Sequence, residues 1–189
     1  MTASRLRRTA PVLATLVAVL AVPTSASAQV EVASDPVGDA ANGLDFTRVK
    51  VSNEDERIVV TATFDRARRG DLAVSIDPRG KRGLRLVSEY RPRGTTRNQV
   101  VLGAFTDGSG AKVLGKAADE GTVTCAGFRV RWNADTERAR MTLPSSCLHD
   151  GDYGAIRFSY LSEDDGADVD SGPDTDSGDI GSSAWIPRG

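Results

Sequence analysis

Apolar side chains recur at every second position in short runs along most of this chain, and that period confines it to β-structure. Val49 and Val51 alternate with Arg48 and Lys50 in the first clear run, which Asn53-Glu54-Asp55-Glu56 closes as a turn. Ile58, Val60, Ala62 and Phe64 share one face of the next. Leu72, Val74 and Ile76 mark a third, ended by Pro78-Arg79-Gly80, and Leu84, Leu86 and Tyr90 a fourth. Residues 99–105 form a fifth. Phe128, Val130 and Trp132, then Ala139, Met141 and Leu143, then Ile156, Phe158 and Tyr160 supply three more, and Trp185 with Ile186 a short closing strand. About eight to nine short strands with polar turns predict an all-β domain, an antiparallel β-sandwich of the immunoglobulin or jelly-roll kind. The one stretch with helical character is 111–121, and Gly115 and Gly121 weaken it. No internal repeat or second domain is visible.

The first 28 residues do not join this pattern. Arg5, Arg7 and Arg8 precede an apolar run at 11–22, Pro23 ends it, and Ala26-Ser27-Ala28 is a small-x-small cleavage site. That is the pattern of a secretory signal peptide, with Gln29 as the new N-terminus and a secreted, extracellular product. The run is shorter than the roughly 20 apolar residues a membrane-spanning helix needs. In an exported chain the pair Cys125 and Cys147 reads as one disulfide. If residues 134–137 are a hairpin turn, Val130 faces Met141 and Trp132 faces Ala139. The same register then brings Cys125 within one residue of facing Cys147, an offset that a bulge at Ala126-Gly127 would absorb. Residues 29–189 form a single domain, long enough for a real core.

Charge is unevenly placed. Removing the three leader arginines leaves 21 basic and 26 acidic residues, a net charge of about −5. Eight of the acids, from Glu163 to Asp179, fall in an acidic loop at 163–179 that has no Lys or Arg. The chain has one histidine, His149, in a Gly/Asp turn, so any Ser-His-Asp or Cys-His constellation must use it. No HExxH, GxSxG, Walker or dinucleotide motif is present. A pair of carboxylates, as in a glycosidase, stays open on composition.

Two segments carry candidate ion chemistry. In Asp35-Pro36-Val37-Gly38-Asp39, followed by Asp45 at the head of a strand, three carboxylates can converge on calcium, which takes six to eight hard oxygens. Equally, the aspartates can cap turns through nearby amides. In the acidic loop, Asp168, Asp170, Asp174 and Asp176 repeat a DxDxG spacing without the Gly and Glu of an EF-hand, and form a weaker calcium candidate beside a plain solvated loop. A third segment, with Arg79, Lys81, Arg82, Arg85, Arg91, Arg93 and Arg97, is either a solvated hairpin face or a site for an anionic polymer. It lacks the interleaved aromatics of single-strand nucleic-acid readers, so no nucleic acid is expected.

The opening DPVGDAANGLDFTRVKVSN, the strand end LPSSCL and the final AWIPRG resemble a group of small exported β-sandwich proteins of high-G+C bacteria that begin DPxGD. The opening is also similar, distantly, to carbohydrate-binding family 9 and DOMON-like domains, a likeness that implies calcium near the N-terminal loop. The combined expectation is a secreted, non-catalytic binding module, calcium-stabilised, for an extracellular ligand such as a polysaccharide or cell-wall polymer. A small carboxylate-dependent exported hydrolase is the first alternative, and a structural envelope protein or inhibitor the second.

Overall fold

The computed structural model describes residues 28–38, 40, 43–93, 96–105, 121–164, 167–175 and 180–189. The leader up to residue 27, Asp39, Asp176, the side chain of Asp168 and nearly all of the helical stretch lie outside them. The strands are β1 (Gln29–Ser34), β2 (Leu44–Asn53), β3 (Arg57–Ala67), β4 (Gly70–Pro78), β5 (Leu84–Tyr90) and β6 (Arg97–Leu102). There follow β7 (Thr122–Val123), β8 (Arg129–Asn133), β9 (Arg138–Pro144), β10 (Ile156–Asp164) and β11 (Ala167–Gly172). They form two antiparallel sheets, β1-β2-β3-β9-β8 and β11-β10-β4-β5-β6-β7. The expected all-β, two-sheet fold is what the chain adopts, with β1, β7 and β11 beyond the strands that alternation marked. Ile186 contributes a single bridge to Ile156 rather than a strand.

Alternation explains the layering. Val49, Val51, Ile58, Val60, Ala62, Ala139, Met141 and Leu143 from one sheet meet Leu72, Val74, Ile76, Leu84, Leu86, Ile156 and Phe158 from the other in one buried core. Aromatic rings cross it in contact: Tyr90 stacks on Trp132 at 4.1 Å, Trp132 lies 5.7 Å from Phe64, Phe64 5.0 Å from Phe46, and Phe46 4.7 Å from Tyr160. This line starts and ends on the six-stranded sheet and passes through the five-stranded one, so it ties the two layers together. Pairs of this geometry add about 0.5–1.5 kcal/mol each beyond burial. Because the side-chain period is two, the residues that alternate with these core positions in β2, β3, β9 and β8 point to the opposite surface of the five-stranded sheet. That surface carries Arg48, Lys50, Arg57, Arg129, Arg131, Arg138 and Arg140, all exposed.

The β8–β9 hairpin has the expected register, with Val130 opposite Met141 and Trp132 opposite Ala139. Cys125 and Cys147 are bonded, with Cα atoms 5.4 Å apart. The approach to the bridge differs from the expected bulge. β7 belongs to the six-stranded sheet and β8 to the other, so Cys125 sits where the chain changes layers. A turn there has Gly127 at φ +92° and the Phe128 N–H donating to the Cys125 carbonyl. Cys147 lies in the short 3-10 turn Ser145–Cys147 after β9. The disulfide therefore pins the crossover to the end of the hairpin. Replacing both cysteines by serine is expected to lower the unfolding free energy by about 3 kcal/mol, from the entropy of the loop released. Urea denaturation of the double variant checks this, and an unchanged midpoint would count against it.

Candidate functional site

The two aspartate segments, more than a hundred residues apart in sequence, meet at one end of the sandwich. β1 runs antiparallel to β2, and the chain leaves it at Asp35, whose N–H donates to the Thr47 carbonyl. It turns through Gly38, at φ +100°, a backbone region that glycine enters without strain. The Gly38 N–H then donates to both carboxylate oxygens of Asp45, at 3.2 and 3.0 Å. Asp45 is fully buried, and the Arg66 guanidinium stands 3.9 Å from its Oδ2.

Next to Asp45 the β2–β3 register shifts on both sides of Phe46. A bulge of this kind takes a backbone N–H out of the ladder, and a buried N–H needs a partner. Here the Phe46 N–H donates to Oδ2 of Asp170 at 2.6 Å. Asp170 is buried on β11, opposite Ser162 of β10, and the Ser162 hydroxyl donates to the Leu44 carbonyl at 2.6 Å. Two hydrogen bonds from the β10–β11 hairpin thus reach the start of β2 in the facing sheet.

Beneath them lies Tyr160. Its ring is buried against Phe46, and its hydroxyl donates to Oδ2 of Asp35 at 2.5 Å. The Gly172 backbone lies so close that a Cβ there would fall 2.4 Å from the hydroxyl oxygen. Burial first, then the hydrogen bond to Asp35 and the negative charges of Asp35, Asp170 and Asp174 push the phenol far above its ordinary value. One hydroxyl therefore feels carboxylates from both candidate segments. Of the residues expected to bind an ion, Asp35 accepts from this hydroxyl, Asp170 from the Phe46 N–H and Asp45 from the Gly38 N–H. Among the described residues no three Asp, Glu, His or Cys side chains stand together as a metal-holding group. Asp39, Asp176 and the side chain of Asp168 fall outside the described residues. In the sequence Tyr160 is one more alternating residue of a strand, and no local pattern marks its hydroxyl.

The other candidates disperse. His149 Nε2 donates to the Arg82 carbonyl at 2.8 Å, so the lone histidine ties the turn after β9 to the β4–β5 turn. The basic stretch is not one face. Arg79 packs over Trp185, Lys81 pairs with Asp152 at 2.7 Å and Arg91 with Asp71 at 3.0 Å, and Arg85 is buried. The Lys81 contact, by hydrogen bond and charge, holds the Asp152 carboxyl below its usual range. No family model, curated protein or solved structure matches this chain, so the reading of the site rests on its own geometry.

Tyr160 gives a signed pH dependence. Its folded pKa lies above the unfolded value near 10, so its contribution is complete below pH 10. It is lost as pH rises beyond that, by up to about 1.4 kcal/mol per unit. Tyr160→Phe is expected to cost about 1–3 kcal/mol at neutral pH, where Asp35 loses this donor. The variant should also show a shallower fall in stability above pH 10. Denaturant titrations at pH 8 and above pH 10 check both, and parallel curves for wild type and variant would refute the assignment.

Proposed function

We propose that the protein is an extracellular, non-catalytic binding module that holds its ligand on a sheet surface and is stabilised by calcium at its aspartate end. The observation that carries this reading is that Asp35 and Asp170, from opposite ends of the chain, are brought to one end of the sandwich, Asp35 on the Tyr160 hydroxyl and Asp170 on the N–H of Phe46, whose ring packs on Tyr160. Carboxylates brought to one partly buried end of a fold repel one another, and a divalent cation drawn in among them would relieve that repulsion with oxygen ligands of this type. The leader pattern supports export into a calcium-rich compartment, the disulfide fits the same setting, and the DPxGD resemblance points the same way.

A second reading is favoured by the hydrogen bonds themselves. Asp45 accepts from Gly38, Asp170 from Phe46 and Asp35 from Tyr160, so the carboxylates act as a latch made within the chain. Neither reading uses Asp45 or Asp170 in hydrolysis, because both are buried and engaged by backbone N–H groups.

A thermal melt separates the two. With millimolar calcium, the range of weak extracellular sites, the melting temperature is expected to rise by about 3–5 °C at tenfold the Kd and to fall back with chelator. Asp45→Asn and Asp174→Asn should each blunt the response. A melting temperature indifferent to calcium and chelator rejects the ion and leaves the internal latch.

A further inference from the structure

Away from the aspartate end, the outer surface of the five-stranded sheet concentrates positive charge on a chain whose net charge is negative. The strand registers arrange it in rows. One row runs Ser34, Arg48, Thr63, Arg138, Asn133, the next Val32, Lys50, Thr61, Arg140, Arg131, and the third Val30, Ser52, Val59, Thr142, Arg129. No Asp or Glu stands in any of them. Arg57 extends the face beyond the third row and pairs with Glu54. Among the described residues, Arg48, Lys50, Arg129, Arg131, Arg138 and Arg140 form no ion pair.

This arrangement works against folding. Arg131 lies directly opposite Arg140, and like charges in facing strand positions are destabilising. A cross-strand acid at either position would turn the repulsion into attraction, so the fold itself does not call for this pairing. Neighbouring strands stand about 4.8 Å apart and same-face residues about 7 Å along a strand. Arg129, Arg131, Arg138 and Arg140 therefore form a compact grid of guanidinium groups. Two depressions open between them: one of about 240 Å³ lined by Arg57, Arg129, Arg131, Arg140 and Thr142, and one of about 350 Å³ lined by Thr61, Arg131, Asn133, Thr136, Arg138 and Arg140. Guanidinium forks bind phosphate and carboxylate through paired N–H groups, and the threonines and Asn133 add neutral hydrogen-bonding groups between them.

From this charge complementarity we infer that the face of β2, β3, β9 and β8 binds a linear polymer carrying phosphate or carboxylate groups along its length. The inference rests on the reading of the molecule as a binding module and names its ligand class and surface. It relocates the anionic-polymer site from the 79–97 stretch, whose cations are scattered and of which Lys81, Arg91 and Arg97 are ion-paired, to strands whose arginines the sequence presents only as the polar half of an alternation.

The test measures binding of the purified protein to fluorescent polyphosphate and polygalacturonate, with neutral dextran as control, across a salt series. Retention of either polyanion, weakening steeply with salt, is expected, and which of the two is preferred distinguishes phosphate from carboxylate. Arg131→Gln with Arg140→Gln should weaken binding about tenfold and lower the salt slope by about 2. The same variant should melt at the wild-type temperature or above it, since a repulsion is removed. Arg82→Gln with Arg93→Gln, an equal loss of charge elsewhere, should leave binding intact. Binding to neither polyanion, binding unaffected by the Arg131/Arg140 change, or equal loss in both double variants overturns the proposal. So does a salt-sensitive oligomer whose formation alone depends on this face. Such a failure with the calcium response intact removes this surface and its ligand and leaves the calcium-stabilised end standing.

Discussion

The hydrogen bond from the Phe46 N–H to Asp170 is the contact on which the architecture of this end depends. Phe46 sits at a register shift in the five-stranded sheet, and Asp170 lies on the edge strand of the six-stranded sheet. Removing a backbone N–H from its ladder leaves a buried donor, and a carboxylate is the strongest neutral-pH acceptor available for it. Once Asp170 takes that place, the hairpin of β10 and β11 is held against β2. The Ser162 hydroxyl then reaches the Leu44 carbonyl, and Tyr160 is set beneath, between Phe46 and Asp35. The aromatic line from Tyr160 to Tyr90 carries the same tie across the core.

This contact also explains which parts of the fold were legible in the sequence. The core strands were, because each buries alternate apolar residues and a slip of one position would turn that face to water. β11 was not. Its segment ADVDSG has one large apolar residue, Val169, which is exposed, while Asp170 points inward. The usual pattern is inverted because the inward position meets an amide donor rather than other apolar groups, and that donor lies 124 residues away. β1 was hidden for a different reason. It is an edge strand whose Val30 and Val32 stand in the open, so its alternation marks no core. β7, two residues long, has no pattern to read.

The candidate site was half legible. Asp35, Asp45 and the acidic loop stood out as residue types suited to an ion, but their meeting depends on the order of strands in two sheets. The hydroxyl that reports their meeting belongs to a tyrosine indistinguishable from any other core aromatic. The arginine face was concealed in another way. Arg129, Arg131, Arg138 and Arg140 fill the polar positions of a hairpin whose register is itself readable, so their juxtaposition is implied by the alternation, yet along the chain they are less dense than the 79–97 stretch and stand out less. Charge is thus segregated on the folded molecule more sharply than along the chain: carboxylates close one end, and guanidinium groups cover one sheet.

Native-state hydrogen exchange at the Phe46 amide tests the bridge between the sheets most directly. In the wild-type protein this amide should exchange only through global unfolding, at the same free energy as core amides such as Val60. In Asp170→Ala it should open locally and exchange faster than those amides while they keep their relative protection. Rapid exchange of Phe46 in the wild type, or a rate unaltered relative to the core by loss of the carboxylate, would contradict the claim that Asp170 holds the two sheets together.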